Sequence, residues 1–469
     1  MASNIRLTPL ILAVALFMEL MDATVIATSL PAIARDINAD PISLKLALTA
    51  YLVSLATFVP ISSWLADRFG AVNIFRAAIA VFMLGSLACA MADSLGAFVG
   101  ARFVQGMGGA MMSPLARLIL IRSTPKPELV SAWAWLTIPA LVGPMAGPPL
   151  GGFLTTYLSW HWIFLINIPI GLIGILAATR YLPRTHYRDR RNVDVLGFIL
   201  CGASFSGLIF GMSVISMPAL PPIVGILTAL AGLLLGITYV VYANRRIDPI
   251  IDPAVFRDTV FRLSVIAGTI YRVGLGAFPF LMPLMLQLGF GMTPFESGMI
   301  TFVGAIGAIA MKFGAQRLYA GMGFRVTLIA AVLISSALMG LVGLWNPQTP
   351  MLVMLAMLLF QGFFRSVFFT GLNAMTFSEI PESDQGQATV ISAVAQQLAM
   401  AFGVAFAATV LDISISMSGR TSVELADFHV GFYVVSALCA VAFIPLLLLR
   451  ADAGAEVSGH RSHGAAIER

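Results

Sequence analysis

The chain is short of charge. Asp, Glu, Lys and Arg make up 10% of its 469 residues, against 59% hydrophobic. A soluble domain carries about 25% charged residues, so a soluble fold of this length would lack the polar surface to cover itself. Cysteine is scarce too. Cys89, Cys201 and Cys439 stand in separate apolar runs without CxxC spacing, which argues against disulfides and thiolate metal sites. His161, in "SWHWIF", reads as an aromatic-belt position, and His186, His429, His460 and His463 show no ligand spacing, so no metal site and no cofactor are expected. No polar segment is long enough for a soluble catalytic domain. No HExxH or Ser/His constellation is visible either, so an enzyme is not expected and no residue is assigned a catalytic role. Alternating ten-residue strands are missing, which excludes a membrane barrel. The net charge of +5 reads as a topology signal, not as a nucleic-acid patch.

Long apolar runs are what the chain does have. Fourteen fall at about 9–31, 43–65, 72–92, 95–119, 129–154, 160–181, 194–215, 219–242, 262–287, 296–315, 324–344, 350–376, 388–412 and 429–449. A run of about 20 apolar residues spans a bilayer as a helix, because only a helix satisfies its own backbone in lipid. The expected fold class is therefore an all-α membrane protein with fourteen transmembrane helices. The first run is too long for a signal-peptide core and is expected to be retained. With the N-terminus placed in the cytoplasm, the loops on that side collect Arg68 and Arg76, then Arg117, Arg122 and Lys126. They also collect Arg180, Arg184, Arg188, Arg190 and Arg191, then Arg245, Arg246, Arg257 and Arg262, then Lys312, Arg317 and Arg325. The opposite loops hold Arg35, Lys45 and Arg420. That asymmetry puts both termini in the cytoplasm. The acidic loop 378–387 departs from it. The polar tail 451–469 is expected to be disordered.

Five ionisable residues fall inside the runs: Glu19, Asp22, Arg102, Arg272 and Arg365. A charge at the bilayer centre costs about 2.5–3.5 kcal/mol on insertion scales, so such residues face a wet cavity or each other. An interior salt bridge that fixes packing is one reading of them, and a coupling site is the other. Glu19 and Asp22 are three apart and share a helix face. Two carboxylates in one low-dielectric site suit a proton carrier. In "RFVQGMGGAMM", Arg102, Gln105, Gly106 and Gly109 share a face, and Arg102 is expected to pair with Asp22 or Glu19. Arg272 and Arg365 have no mid-span acidic neighbour in their half, and suit either a first-half carboxylate or a substrate anion. Tyr51, Gln105, Gln287, Asn373 and Gln396 are further candidates for a substrate cavity. In "WLTIPALVGPMAGPPLGGFL", Gly143, Gly147 and Gly151 are four apart and form a smooth stripe, while Pro139, Pro144, Pro148 and Pro149 should bend the helix. The expected partner of that stripe is Gly298, Gly304 and Gly307 of the second half. "SWLADRFGAVNIFRAAIAVFMLG" and "GAQRLYAGMGFRVTLIAAVLISS" form a faint internal repeat.

Four motifs then become specific in combination. "LMDATVIATSLP", "SWLADRFGAVNIF", "RFVQGMGGA" and "GPMAGPPLGGFL" follow one another in the order and spacing of the major facilitator superfamily. "WHWIFLINIPIG" follows them. The chain resembles the superfamily's fourteen-helix drug:proton antiporter branch over nearly its whole length. The resemblance implies two six-helix halves, 1–190 and 246–450, with two inserted helices in 191–245. It implies alternating access driven by inward proton flow in a bacterial inner membrane. Asp22, with Glu19 and Arg102, would couple to protons. Asp67, Arg68 and Gly70 would form the cytoplasmic gate motif, and Gly143, Pro144, Gly147, Pro148, Gly151 and Gly152 the antiporter motif. Ser63, Ala71 and Val72 depart from the family pattern, and Glu19 is not a usual family position. The expected partners are the bilayer, protons and a small-molecule substrate, with the chain working as a monomer. A multidrug exporter is the leading expectation and an organic-anion exporter the alternative. A channel is disfavoured by the lack of pore loops or charged rings.

Overall fold

The computed structural model describes residues 4–37, 44–183, 192–215, 221–292, 294–420 and 423–458, and among them every regular element is a helix. Two compact units emerge. Unit 1 contains Met1–Pro125, Trp135–Val255 and Pro381–Val394. Unit 2 contains Lys126–Ala134, Phe256–Ile380 and Ala395–Arg469.

In chain order the first helices are α1 (Asn4–Asp36), α2 (Lys45–Phe58), α3 (Ser62–Phe69), α4 (Ala71–Ala90), α5 (Leu95–Ser123) and α6 (Leu129–Tyr157). They are followed by α7 (Trp162–Leu165), α8 (Asn167–Tyr181), α9 (Val195–Ile215) and α10 (Pro222–Ala243). The later part holds α11 (Thr259–Leu284), α12 (Pro294–Lys312), α13 (Ala315–Leu341), α14 (Met351–Thr376) and α15 (Gln385–Met417). It closes with α16 (Leu425–Val441), α17 (Phe443–Leu447) and α18 (Ala455–Ser458).

Local chemistry sets several boundaries. Ser94 caps α5 by accepting from the Ala97 amide, and Asp258 caps α11 by accepting from the Phe261 amide. Glu424 and Asp427 form a capping box at the start of α16. Twelve helices among the described residues are long and apolar enough to cross a membrane. A thirteenth span is the bent pair Lys126–Pro144 and Pro149–Thr155, broken by 44°. Prolines there remove amide donors and tilt the chain. Of the fourteen spans expected from the apolar runs, the described residues show twelve by length and apolar composition, or thirteen with the bent pair. The remaining run is the 19-residue helix α12, which is not among those spans.

In unit 1, α9 is seated on α2, where Thr57 Oγ1 and Ser206 Oγ meet at 2.7 Å. The next helix, α10, lies along α9, with Ser204 Oγ donating to the Gly232 carbonyl at 2.8 Å. Much of the outer surface of α10 is exposed leucine, isoleucine and valine, which suits a lipid-facing helix. One apolar cluster gathers Met21, Val25, Cys89, Phe98, Trp160 and Phe164, with Phe98 and Phe164 edge to face at 5.7 Å.

Unit 2 repeats parts of unit 1. Helix α3 ends at Gly70 (φ 89°), and α4 follows. The segment from Ala315 ends likewise at Gly323 (φ 71°), where α13 kinks before continuing to Leu341. Positive φ is the region in which glycine carries no side-chain penalty. A second correspondence joins Gln105-Gly106 of α5 to Gln361-Gly362 of α14. A Cβ on Gly106 would lie 2.6 Å from the Tyr51 carbonyl of α2, and one on Gly362 would lie 1.8 Å from the Gly304 carbonyl of α12. Both glycines thus permit the same backbone-to-backbone crossing. Within unit 2, Trp133 stacks on Phe377 at 6.0 Å, and Lys126 Nζ bonds Glu456 of α18 at 2.8 Å.

Two expectations change here. The Gly143–Gly147 stripe packs on α1, not on a second-half helix. A Cβ at Gly147 would lie 2.0 Å from Thr24 Oγ1, and one at Gly143 would lie 3.0 Å from the Phe17 carbonyl. Gly307 instead meets the Leu359 carbonyl of α14, within its own unit. The physical reason is that each small-residue stripe is used by the helix that crosses it nearest, and in each case that helix is in the same unit. Lys312, counted among the loop cations, is the last residue of α12 and is buried.

Candidate functional site

The α1, α5 and α8 helices bring a polar network into the apolar interior of unit 1. Arg102 Nη1 donates to Asp22 Oδ2 at 2.6 Å, with side chains 1% and 2% exposed. Asp22 Oδ1 accepts from Gln105 Nε2 at 2.8 Å and from Asn167 Nδ2 at 3.1 Å. Both amides also donate to Ser86 Oγ of α4, at 2.8 and 3.2 Å. Arg102 Nη1 donates as well to Gln105 Oε1. The Tyr51 ring covers the guanidinium at 4.3 Å, a cation–π contact in a dry site. Asp22 therefore holds three donors, and Arg102 has a carboxylate, an amide and an aromatic face.

Glu19 lies one turn earlier on α1 and has a different partner. It accepts from Ser113 Oγ of α5 at 2.7 Å, with the Arg117 charge nearby. The two carboxylates thus meet α5 at separate levels.

Asp67 lies in the last turn of α3 and accepts from Arg122 Nη2 of α5 at 3.0 Å. The start of α15 lies over this pair: a Cβ at Gly386 would be 3.3 Å from Ser63 Cβ and 3.5 Å from Asp67 Oδ2. A small cavity beside it is lined by Trp64, Asp67, Asn192, Asp194, Asp248 and Gln387. Arg68 is exposed and Gly70 forms the turn.

Of the antiporter-motif residues, Gly143, Gly147 and Gly151 are buried, and Gly152 has open space around it. Pro144 is half-buried. The side chain of Pro148 lies outside the described residues.

The cavity candidates divide between the units. Tyr51 and Gln105 belong to unit 1 and are occupied by the Arg102 network. Arg272, Gln287, Arg365, Asn373 and Gln396 belong to unit 2. Arg272 lies 4.8 Å over the Phe369 ring and donates to Asn373 Oδ1 at 3.4 Å. Gln287 sits in the π-helical turn Met285–Gly289, half-buried, and Gln396 is half-buried on α15. Arg365 is half-buried beside Tyr271 on α11.

Sequence reasoning missed Asn167, Ser86, Ser113 and Lys312. The signal for Asn167 was an amide inside "FLINIPIG", where a polar side chain in lipid is costly unless paired. Ser86 and Ser113 carry no such signal, because serine is common at helix interfaces. For Arg122 and Lys312, nearness to a helix end suggested a loop. Their side chains instead reach a neighbouring helix, Arg122 to Asp67 of α3 and Lys312 to Thr370 of α14.

The comparisons match this architecture. The family model described as Major Facilitator Superfamily matches residues 12–247 and 264–466. The chain belongs to the major facilitator superfamily. It is 34% identical over 401 residues to the "Probable transport protein HsrA" of Haemophilus influenzae, covering 86% of each chain. It is 31% identical over 458 residues to the "Putative multidrug resistance protein MdtD" of Enterobacter sp. (strain 638), covering 95% of this chain and 94% of the relative. Among solved structures, the human organic anion transporter MFSD10 superposes with TM-score 0.68 at 16% identity, covering 94% of this chain and 99% of that one. The proton:xylose symporter XylE bound to 6-bromo-6-deoxy-D-glucose gives 0.65 at 13% identity, covering 94% and 95%. At those identities the structures speak for the fold alone. The chain is accordingly a multi-pass membrane protein of a transporter family.

Proposed function

We propose that this chain is a proton-coupled exporter of small molecules, a multidrug:proton antiporter working by alternating access. The observation that carries the reading is Asp22 held by Arg102, Gln105 and Asn167 in a site with almost no solvent exposure. Removing one partner of a buried ion pair costs about 3–5 kcal/mol, because the other charge is left uncompensated. Protonating Asp22 does this chemically. The Arg102 network must then rearrange, and a rearrangement at the α1–α5 contact is a route from proton binding to helix motion. The names of the relatives, one for transport and several for multidrug resistance, support the same reading. The exporter sits in a bacterial inner membrane with both termini in the cytoplasm, needs no cofactor beyond the proton gradient, and works as a monomer. Asp67 with Arg122 acts at the gate.

The test is transport in proteoliposomes with an imposed pH gradient, using a panel of cationic dyes and carboxylates. Proton-dependent movement of dyes, lost in Asp22→Asn, supports the reading. Full activity of Asp22→Asn rejects the coupling assignment, and movement of carboxylates only rejects the drug assignment. A second reading, an organic-anion exporter on the same fold, is favoured by one observation: the interior of unit 2 carries Arg365 and Lys312 with no carboxylate paired to either among the described residues.

A further inference from the structure

The Asp22 network is rich in donors and short of acceptors. Arg102 Nη1, Gln105 Nε2 and Asn167 Nδ2 all donate to the one carboxylate. A charged carboxylate accepts all three. A protonated one carries a donor of its own and needs an acceptor to face it. Asp22 Oδ2 lies 2.6 Å from the permanently charged Arg102, so an incoming proton belongs on Oδ1. The acceptors of the network are mostly taken. Ser86 Oγ of α4 receives both amides, and Gln105 Oε1 receives Arg102 Nη1 and, at 3.8 Å, Cys89 Sγ of α4. The Tyr51 hydroxyl of α2 lies against Gly109, one turn along α5 from Gln105. Glu19, one turn earlier on α1, is held by Ser113 with the Arg117 charge nearby. That leaves Asn167 Oδ1, on a residue 0% exposed, as a buried acceptor with no hydrogen-bond partner.

The two amides differ in their freedom to turn. Rotating the Gln105 amide would set its nitrogen against the Arg102 guanidinium, donor against donor, so the cation locks it. Nothing among the described residues donates to Asn167 Oδ1, so no bond is broken there when the Asn167 amide turns. Its present orientation suits a charged Asp22, because an amide oxygen facing a carboxylate would be repelled. Turned over, the same oxygen suits a protonated Asp22. Ser86 serves either orientation, since a hydroxyl both accepts and donates. One amide atom is left without a partner in each state, Oδ1 in the charged state and Nδ2 in the protonated one, so the two orientations are closely balanced.

We propose that Asn167 reads the protonation state of Asp22: its amide donates from Nδ2 to the carboxylate and turns to accept at Oδ1 from the carboxylic acid. The proton arrives from the gradient, forms the O–H bond at Asp22 Oδ1 and leaves by breaking that bond; nothing is oxidised or reduced. Asn167 thereby keeps α8 tied to α1 in both states, while Arg102 of α5 loses its counter-charge, and the seam that loosens is α1–α5. The assignment rests on Asp22 being the group that takes the proton. Acid-minus-alkaline infrared difference spectra of purified protein in nanodiscs test it, the Asp22 bands being those lost in Asp22→Asn. Asn167→Leu should shift the Asp22 carboxylate band and also raise the frequency of its acid carbonyl band, since each form loses a partner. Asn167→Thr, whose hydroxyl donates and accepts, should return both bands toward the wild type. Wild-type protein with isotope-labelled asparagine side chains needs no substitution at Asn167. Its labelled carbonyl band should fall in frequency on acidification as Oδ1 gains a partner, and that change should be lost in Asp22→Asn. A carboxylate band that shifts in Asn167→Leu while the acid band stays, or a labelled carbonyl band indifferent to pH, overturns the proposal and leaves proton coupling at Asp22 standing. Absence of any acid band that Asp22→Asn removes overturns both.

Discussion

Gln105 and Gln361 hold the same place in their respective units and have opposite surroundings. Each precedes a glycine at which two helix backbones cross. Gln105 receives from Arg102, donates to Asp22 and Ser86, and lies at the centre of a network in which the charges balance. Gln361 has no partner for its amide nitrogen, a leucine where Arg102 would be, and Arg365 one turn on. Packing has been kept while charge has been redistributed. Unit 1 pairs its buried Arg102 with Asp22, whereas in unit 2 the buried Asp427 is paired with Arg420 and no ion pair of Lys312 or Arg365 occurs among the described residues. The lesson is that the crossing geometry and the electrostatics are separable: small residues fix the first, and a few ionisable side chains write the second.

The largest effect is expected from breaking the balanced side. Asp22→Asn should abolish pH-gradient-driven transport and destabilise the protein by about 3–5 kcal/mol, since Arg102 is left buried without its carboxylate. Asp22→Asn combined with Arg102→Gln should recover most of that stability, read as thermal midpoint, without recovering transport. If the double variant transports, the ion pair is packing and not coupling. Next comes Gly147→Leu. Its side chain must displace Thr24, two residues from Asp22 on α1. Transport should be lost while membrane expression is retained, and unchanged transport would show that the α1–α6 contact does not govern the site.

Much of this was legible in the residues, and for a physical reason. A charge in an apolar run is so costly that Asp22 and Arg102 announce themselves, and Arg102 is the cation on α5 closest in depth to Asp22. The apolar runs gave the helices because lipid allows little else. Less legible was anything decided by side-chain reach. Lys312 looked like a loop cation because a lysine near a helix end ordinarily extends to water. Here it turns inward to Thr370. The glycine stripe of α6 identified itself as a close-packing surface, but small residues carry no label for their partner, and α1 of the same unit takes it. Asn167 needed its fold neighbours to become meaningful, since a single amide in lipid satisfies itself equally well at many interfaces.

The comparison sharpens further at the two glutamines themselves. Gln105→Leu removes a group that donates to Asp22 and Ser86, so a loss of about 2 kcal/mol is expected together with impaired coupling. Gln361→Leu removes an amide nitrogen that has no partner, and its effect on stability should be under about 1 kcal/mol. Chemical or thermal denaturation of the two variants side by side measures the difference. Equal losses would mean that Gln361 is satisfied by ordered water.

The smallest effect belongs to the gate motif. Asp67 and Arg122 are paired at 3.0 Å, but Asp67 is 20% exposed and so partly screened. In unit 2 the corresponding position is Ala320, which offers no side-chain acceptor. Asp67→Asn retains the shape and one acceptor oxygen and removes only the charge. Transport should slow by about threefold to tenfold, with stability changed by less than about 1 kcal/mol. Stopped-flow efflux against thermal melting separates the two quantities. A stability loss as large as that of Asp22→Asn would make the pair a structural tie of the α3–α5 corner. A rate loss without one would mark it as an element that holds a conformation only until transport requires its release.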